Sequence, residues 1–225
     1  MDVATSARES YLVARAVVRV LSDSERTEEV HLVEEVTGRP AYRRLLERVR
    51  GTIEGARLLH ERPELSSRFV DYDALRALPA TTLGGAYVRH LDRNHITADF
   101  QAAPTRHVAD PDMAYFMRRF RQTHDVWHAL LGLGIHGHEE VVIHAFSYGQ
   151  LRLPVSAMVV FFGSLKHIVG ERRWGALRHS LGEAYRCGRN ASPLLVVTWE
   201  DHWTERLDDV RARYGVHSLS RRWLD

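Results

Sequence analysis

The sequence contains little cysteine, little lysine and no long apolar run, and each absence narrows the class of protein. Its 225 residues include one cysteine, Cys187, which excludes an internal disulfide and a zinc site built from several thiolates. Lys166 is the only lysine, so nearly all basic residues are arginine. The longest largely apolar stretch, residues 155–165, is well short of the roughly 20 residues that a membrane span needs. The composition therefore predicts a soluble globular protein.

The charge balance and the N-terminus also exclude several functions. The formal net charge is +2, from 31 basic and 29 acidic residues, which gives no basis for nucleic-acid binding. Residues 1–10 mix charged and small polar side chains, where a secretory signal would have a basic start followed by an apolar run. We therefore expect no nucleic-acid partner and a cytoplasmic location, with contact to the inner membrane at its periphery.

Apolar residues recur at helical spacing along most of the chain, and strand-like alternation is nearly absent. Residues 194–198 are the only strand candidate, and no repeat or linker interrupts the chain. We predict a single all-α domain over residues 1–225, a multi-helix bundle. The predicted helices cover residues 12–21, 45–58, 69–78, 83–91, 154–169, 171–187 and 199–214, of which 45–58 is one long helix. A further helix is predicted to begin at residue 111 and to continue into the segment described next.

The most informative segment contains His124, Asp125 and His128, followed after eleven residues by Glu140. On a helix, His124 and His128 lie one turn apart on one face, with Asp125 beside them. An unbroken helix would place Glu140 roughly 120° away from His128, so the helix must break. A second helix starting near His138 would return Glu140 to the pair. The residues that supply the break are Gly132, Gly134 and Gly137.

Two imidazoles and two carboxylates in one helical hairpin indicate a metal site. The predicted ligands of a divalent metal are His124, Asp125, His128 and Glu140. This donor set suits zinc foremost, or iron or manganese if more coordination positions stay open. The competing interpretation is a fortuitous pair, because the chain has 14 histidines.

Two other classes of function are compatible with the same residues. A His-Asp metal phosphohydrolase would add His107 and Asp201, but it would leave His128 and Glu140 unexplained. A carrier would hold a lipid chain between apolar helices and fix its head with the metal. The side chains that would line such a pocket, or simply pack in the core, are Val155, Val159, Phe161, Phe162 and Leu165. Trp127 and Phe146 are expected to be core residues.

Further segments match a known pattern around the motif. Residues 83–87, Leu-Gly-Gly-Ala-Tyr, look like a Leu-Gly-x-Ala-Tyr helix start, and residues 207–211 match a later helix. The other matching residues are Ala114-Tyr115, Arg118 to Arg121, Phe146, Gln150, Leu153-Pro154, Glu200 and Trp203. Over roughly residues 77–216 the chain therefore resembles the ubiquinone (coenzyme Q) biosynthesis protein family, the fourth member of the coenzyme Q series, whose motif is His-Asp-x-x-His, eleven residues and Glu.

The resemblance implies an all-helical protein that holds zinc at the four motif residues. It also implies a pocket for a polyprenylated aromatic acid, removal of the ring carboxylate at C1 coupled to hydroxylation there, and contact with other quinone-biosynthesis proteins. Older descriptions of the family are of a scaffold without catalysis. We expect a metal-dependent, lyase-like decarboxylase, a hydrophobic small-molecule ligand and association of the chain with a second copy. Substrate binding is assigned to Val155, Val159, Phe162 and Gln150.

The chain departs from the family pattern after Glu140. The family's Lys-Trp-Phe-Glu is replaced by His144 and its neighbours, which removes the second carboxylate of that helix. His144 lies one turn beyond Glu140 on the same face, so we predict that it acts as an acid, a base, a substrate anchor or an extra ligand. An arginine-rich chain also suits GC-rich bacteria, where a relative of the family could act on a secondary metabolite.

Overall fold

The chain is represented by a computed structural model that describes residues 6–22, 27–99, 105–171 and 174–219. These residues form eleven α-helices and no strand, which confirms the predicted all-α class. The helices are α1 (Ala7–Ser22), α2 (Thr27–Thr37), α3 (Arg39–Val49), α4 (Ile53–Glu61), α5 (Tyr72–Ala77), α6 (Leu83–Asn94), α7 (Pro111–Leu131), α8 (Gly137–Leu151), α9 (Pro154–Glu171), α10 (Trp174–Asn190) and α11 (Leu207–Tyr214).

Helix α7 runs through the centre of the protein. Seventeen of its 21 residues are buried, so it has almost no solvent-facing side. It packs against α3 and α6, while α8 forms the main contacts to α9 and α10. The contact between α8 and α10 is close because glycine faces backbone: a Cβ at Gly188 would lie 2.2 Å from the carbonyl oxygen of Phe146. This packing fixes α8, the second helix of the hairpin, against the core.

Predicted helix starts are confirmed where a local cap specifies them. The side chain of Asp110 accepts hydrogen bonds from the backbone N–H groups of Asp112 and Met113, which starts α7 at Pro111. Thr82 caps α6 by accepting from the N–H of Gly85. These caps satisfy N–H groups that a helix start leaves open.

The predicted long helix over residues 45–58 is wrong. The chain breaks at residues 50–52 between α3 and α4, where the side chain of Thr52 accepts a hydrogen bond from the N–H of Gly55. Ile53, which continues the apolar period in the sequence, is 86% exposed. The cap and turn therefore override the apparent periodicity.

Two predictions near the C-terminus are also wrong. Residues 194–196 form a short 3₁₀ turn instead of a strand, and residues 199–214 form a helix only from Leu207 onward. The reason is tertiary: the carbonyl oxygen of Val197 and the carboxylate of Glu200 both bind the buried guanidinium of Arg119 on α7. Because residues 197–200 place two acceptors around this buried guanidinium, they form neither a strand nor a regular α-helix.

A second buried arginine, Arg121, ties α7 to α2. Its guanidinium donates to Glu34 and Glu35, each at 2.9 Å, and all three side chains are almost fully buried. Burial raises the pKa of Glu34, although Arg121 opposes this effect. Tyr42 on α3 donates its hydroxyl to Glu34 at 2.7 Å. The network joins α2, α3 and α7. Removal of one of its charged side chains would leave a buried charge without a partner, which lowers stability.

The neighbouring His31 should make stability depend on pH. Burial, and next the charge of Arg121, lower the pKa of His31 to about 4, with Glu35 opposing. An unfolded histidine titrates near 6.5, so the unfolded chain binds more protons between these values and stability falls as pH falls through this window. Between pH 6.5 and 4.5 the free energy of unfolding of His31→Gln should fall by about 1–2 kcal/mol less than that of wild type, with the partial exposure of His31 taken into account. Urea denaturation at the two pH values measures this difference.

The matched control for this prediction is His60→Gln, which changes an exposed histidine on α4. Its free energy of unfolding should follow the wild-type pH dependence. If wild type and His31→Gln also give parallel curves, His31 does not carry the effect.

Candidate metal centre

The hairpin between α7 and α8 has the glycine break that the sequence predicts. Gly132 ends α7 in the left-handed conformation, with φ at 67°, which glycine adopts without steric cost. The N–H of Leu133 then donates to the carbonyl of His128 at 3.0 Å, which closes the helix end. Helix α8 begins at Gly137, one residue from the predicted start, and returns antiparallel to α7. The break therefore brings the residue after Glu139 back toward the histidines.

Glu139 holds this turn together. Its buried carboxylate accepts hydrogen bonds from the backbone N–H of Gly134 at 2.6 Å and of His136 at 3.2 Å. A carboxylate at the first turn of a helix also interacts favourably with the helix dipole. Glu139 is thus fully engaged by the turn, and Glu140 is the acidic residue that faces α7.

The side chains of His124, His128 and Glu140 converge at one point between the two helices. One ligand atom from each lies within 4.8 Å of the others. Nε2 of His128 lies 3.3 Å from Oε1 of Glu140, but without the alignment of a hydrogen bond. Among the described residues, Nε2 of His124 and both ring nitrogens of His128 are buried without a hydrogen-bond partner. Buried nitrogens of this kind fit a divalent metal, whose ligand atoms lie roughly 3–4 Å apart.

The directions of two of the three pKa shifts, those of Glu140 and His124, suit metal ligation. Burial raises the pKa of Glu140, but the attraction of His128 and then His124 outweighs it and lowers that pKa to about 2. Burial and the neighbouring His128 lower the pKa of His124 well below its ordinary value. Burial also lowers the pKa of His128, although the carboxylate of Glu140 reverses the direction and raises it. An ionised carboxylate and a neutral imidazole are the forms that bind metals.

Asp125, the fourth predicted ligand, is buried but does not share this point of convergence. Its Oδ2 has no hydrogen-bond partner among the described residues. Burial raises the pKa of its carboxyl to about 6. Ligation by Asp125 stays a prediction, and the geometry assigns the centre first to the other three residues.

His144 lies beside the cluster. Its ring centroid is 5.5 Å from that of His124, and its Nδ1 is 3.3 Å from the buried hydroxyl of Ser156 on α9. Burial lowers the pKa of His144 to about 4, with Glu140 opposing. The residue therefore borders the centre from α8, and its predicted catalytic role stays a prediction.

Sequence reasoning missed a further histidine at the site. His90 on α6 is buried, and its ring stacks on that of His128 with centroids 5.1 Å apart. It lies 38 residues before His128 and outside every motif segment. The helical period of α6 could have placed it on a buried face, but no local signal connects it to the hairpin.

The predicted substrate residues separate into core and surface positions. Val155 is buried, Val159 and Phe162 are half-buried, and Phe161 and Leu165 are exposed. The two exposed residues lie on an apolar groove of about 590 Å³ between α8, α9 and α10. The groove is also lined by Ala145, Tyr148, Ala157, Val160, Ile168 and Leu181.

Gln150, the fourth predicted substrate residue, is held by backbone groups. Its side-chain amide donates to the carbonyl of Gly188, and its oxygen accepts from the N–H of Leu194 at 2.9 Å. These bonds tie α8 to α10 and to the 3₁₀ turn. Both ends of the amide are engaged, and its substrate role stays untested.

The residues of the phosphohydrolase alternative do not join the cluster. Asp201 pairs with Arg57 at 3.1 Å, and His107 lines a separate polar cavity with His31. Trp127 and Phe146 are fully buried and in edge contact, which confirms that they are core residues. The geometry therefore favours the hairpin residues as the candidate centre.

Fold and site together define an all-helical protein with a candidate divalent-metal centre in a helical hairpin. The family model described as "Coenzyme Q (ubiquinone) biosynthesis protein Coq4" matches residues 3–220. The chain belongs to this family, as its motif segments predicted. This membership supports a role in ubiquinone biosynthesis.

Individual relatives agree with the family assignment. A Xenopus tropicalis protein named "Ubiquinone biosynthesis protein COQ4 homolog, mitochondrial" is 34% identical over 91% of this chain and 72% of its own length. A Drosophila ananassae protein of the same name is 32% identical over 93% and 78%. A crystal structure from Nostoc punctiforme, of a protein assigned by name to ubiquinone biosynthesis, superposes with a TM-score of 0.73. It is 23% identical and covers 93% of this chain and 99% of its own, which supports the fold alone.

The location expected from the sequence receives no support from these relatives. The names of the Xenopus and Drosophila proteins place those two relatives in mitochondria, not in the cytoplasm. In the described part of the chain, no helix combines the length and apolar character needed to cross a bilayer.

Proposed function

We propose that this chain is a metal-dependent protein of quinone biosynthesis that removes the C1 carboxylate of a prenylated aromatic acid. The observation that carries the proposal is the convergence of His124, His128 and Glu140 on one point of the hairpin in a member of this family. Two imidazoles and one carboxylate leave coordination positions for substrate. Zinc is the metal that the family resemblance implies, and two histidines with one carboxylate and open positions suit iron(II) as well.

The residues of the site have distinct roles in this proposal. A divalent metal held there would act as a Lewis acid on a substrate carboxylate or phenolate. His124, His128 and Glu140 hold it, Asp125 is a further candidate ligand, and His144 borders the open side, where it orients the substrate headgroup. In the overall reaction the aromatic acid, dioxygen and two reducing equivalents give the phenol, carbon dioxide and water. The dioxygen supplies the oxygen of the new hydroxyl.

The prenyl chain has a suitable place on the neighbouring face of α8. Ala145 and Ala157 line the apolar groove, and they directly follow His144, which borders the centre, and Ser156, whose hydroxyl lies 3.3 Å from Nδ1 of His144. A tail in this groove would bury the exposed side chains of Phe161 and Leu165. The groove also supports a second candidate function, a carrier that binds the prenylated ligand without turnover. Both the enzyme and the carrier proposal also include peripheral membrane contact, dimerisation and association with other quinone-biosynthesis proteins.

One experiment separates the enzyme from the carrier. Protein loaded with zinc, or in parallel with iron(II), is mixed with a prenylated hydroxybenzoate labelled at its carboxylate, with dioxygen and a reductant, and released carbon dioxide and bound ligand are both measured. The enzyme should release label, and Glu140→Gln should lower release at least about 100-fold because it removes a charged ligand. Ligand binding without release would favour the carrier.

The groove is tested in the same assay by Val160→Arg, because a charge in an apolar wall is costly. Retention of prenylated ligand should fall at least about tenfold, with the metal retained. Ile53→Arg, on the exposed surface of α4, is the control. Equal retention by both folded variants would place the tail elsewhere.

A further inference from the structure

An imidazole from outside the hairpin covers one face of His128. His90 on α6 is 7% exposed, and its ring plane lies 20° from that of His128 at a centroid distance of 5.1 Å. This is the offset stacked arrangement that aromatic rings favour. Contact over a ring face restricts rotation of the His128 side chain about its terminal bond.

His128 has no other restraint of the usual kind. A histidine that binds a metal through one nitrogen ordinarily donates its other ring N–H to a carboxylate or a carbonyl, which sets the ring orientation. Among the described residues, Nδ1 of His128 has no hydrogen-bond partner, although it is fully buried. Orientation of this ring therefore depends on packing, and His90 supplies a parallel surface for it.

His90 is itself fixed on its helix. The side-chain nitrogen of Asn94, one turn later on α6, donates to the backbone carbonyl of His90 at 2.8 Å and lies 3.3 Å from its Nδ1. Helix α6 packs directly against α7, the helix that carries His128. The stacked ring is thus a defined part of the fold.

We propose that His90 is a positioning residue, which holds the His128 ring so that Nε2 faces Glu140 and His124, and that it does not ligate the metal. This inference rests on the proposed metal function. The converging ligand atoms among the described residues belong to the hairpin alone, which separates the role of His90 from that of a ligand. The effect is carried by the flat ring, so another flat ring should replace it.

The test compares His90→Ala with His90→Phe in the full chain. Zinc dissociation constants are measured by competition with a chromophoric chelator, and cobalt(II) absorption reports the number and type of ligands. His90→Ala should weaken zinc binding about 10- to 100-fold, the range for residues that orient a ligand. His90→Phe should bind within about threefold of wild type and keep the wild-type cobalt spectrum.

Controls separate this role from folding. His60→Ala removes an exposed imidazole on α4 and should leave zinc affinity unchanged. Circular dichroism and melting temperature identify variants that do not fold, and His90→Phe keeps the test decisive if His90→Ala is one of them. Zinc binding by His90→Phe weakened at least tenfold, with or without a changed cobalt spectrum, overturns the proposal, as does wild-type affinity in folded His90→Ala. A wild-type chain that binds no zinc overturns the metal function together with this inference.

Discussion

His128→Ala should purify with less than about a tenth of the wild-type metal content, because it removes a fully buried nitrogen from a three-residue centre. The affinity for zinc should fall at least about 100-fold, which exceeds the range typical of a residue outside the ligand set. Metal content by plasma mass spectrometry and affinity by chelator competition measure the two effects.

A cavity at residue 128 could also weaken the fold, so His128→Gln provides a second variant that fills most of the space. The matched control is His60→Ala, at an exposed histidine in the last turn of α4. A folded His128 variant with undiminished metal content would show that the hairpin is not the metal site.

Glu200→Ala should lower the free energy of unfolding by about 3 kcal/mol, because it leaves a buried cation unpaired. Arg119 is fully buried, and its guanidinium donates to both oxygens of Glu200, at 2.6 and 2.8 Å. The carboxylate is itself 20% exposed, so we expect the lower end of the range for buried pairs. For a chain of this size the melting temperature should fall by about 6–12 °C.

The adjacent residue offers a closely matched comparison. Asp201 pairs with Arg57 at 3.1 Å, but both side chains are about half exposed. Asp201→Ala should therefore leave the free energy of unfolding, measured by urea denaturation, close to that of wild type. If the two variants lose similar amounts of stability, burial of Arg119 does not determine how much its ion pair contributes to the free energy of unfolding.

The hairpin could be predicted from sequence because its causes are local. The one-turn spacing of His124 and His128 depends only on helical geometry, and Gly132 marks a helix end because it tolerates the left-handed conformation. The α3–α4 break was missed because Ile53 continues the apolar period, although Thr52 was a visible capping residue.

Other features depend on contacts between distant parts of the chain. The stack of His90 on His128 and the ion pair of Arg119 with Glu200 join residues 38 and 81 positions apart. Such partners leave no periodic or spacing signal in one sequence. The apolar helix α9 shows the same limit, since periodicity could not tell which of its residues face the groove and which face the core.

The two adjacent glutamates give the connection between α7 and α8 a fixed length. Glu139 closes the turn through Gly134 and His136, so the following residue leaves it in one direction. Insertion or deletion of one residue between residues 134 and 136 would separate Glu139 from one of the two N–H groups that it binds, because packing against α10 holds α8 in place. Surface loops elsewhere can change length at little cost in stability. This loop, in contrast, can be exchanged between related chains only if its length and both glutamates are kept.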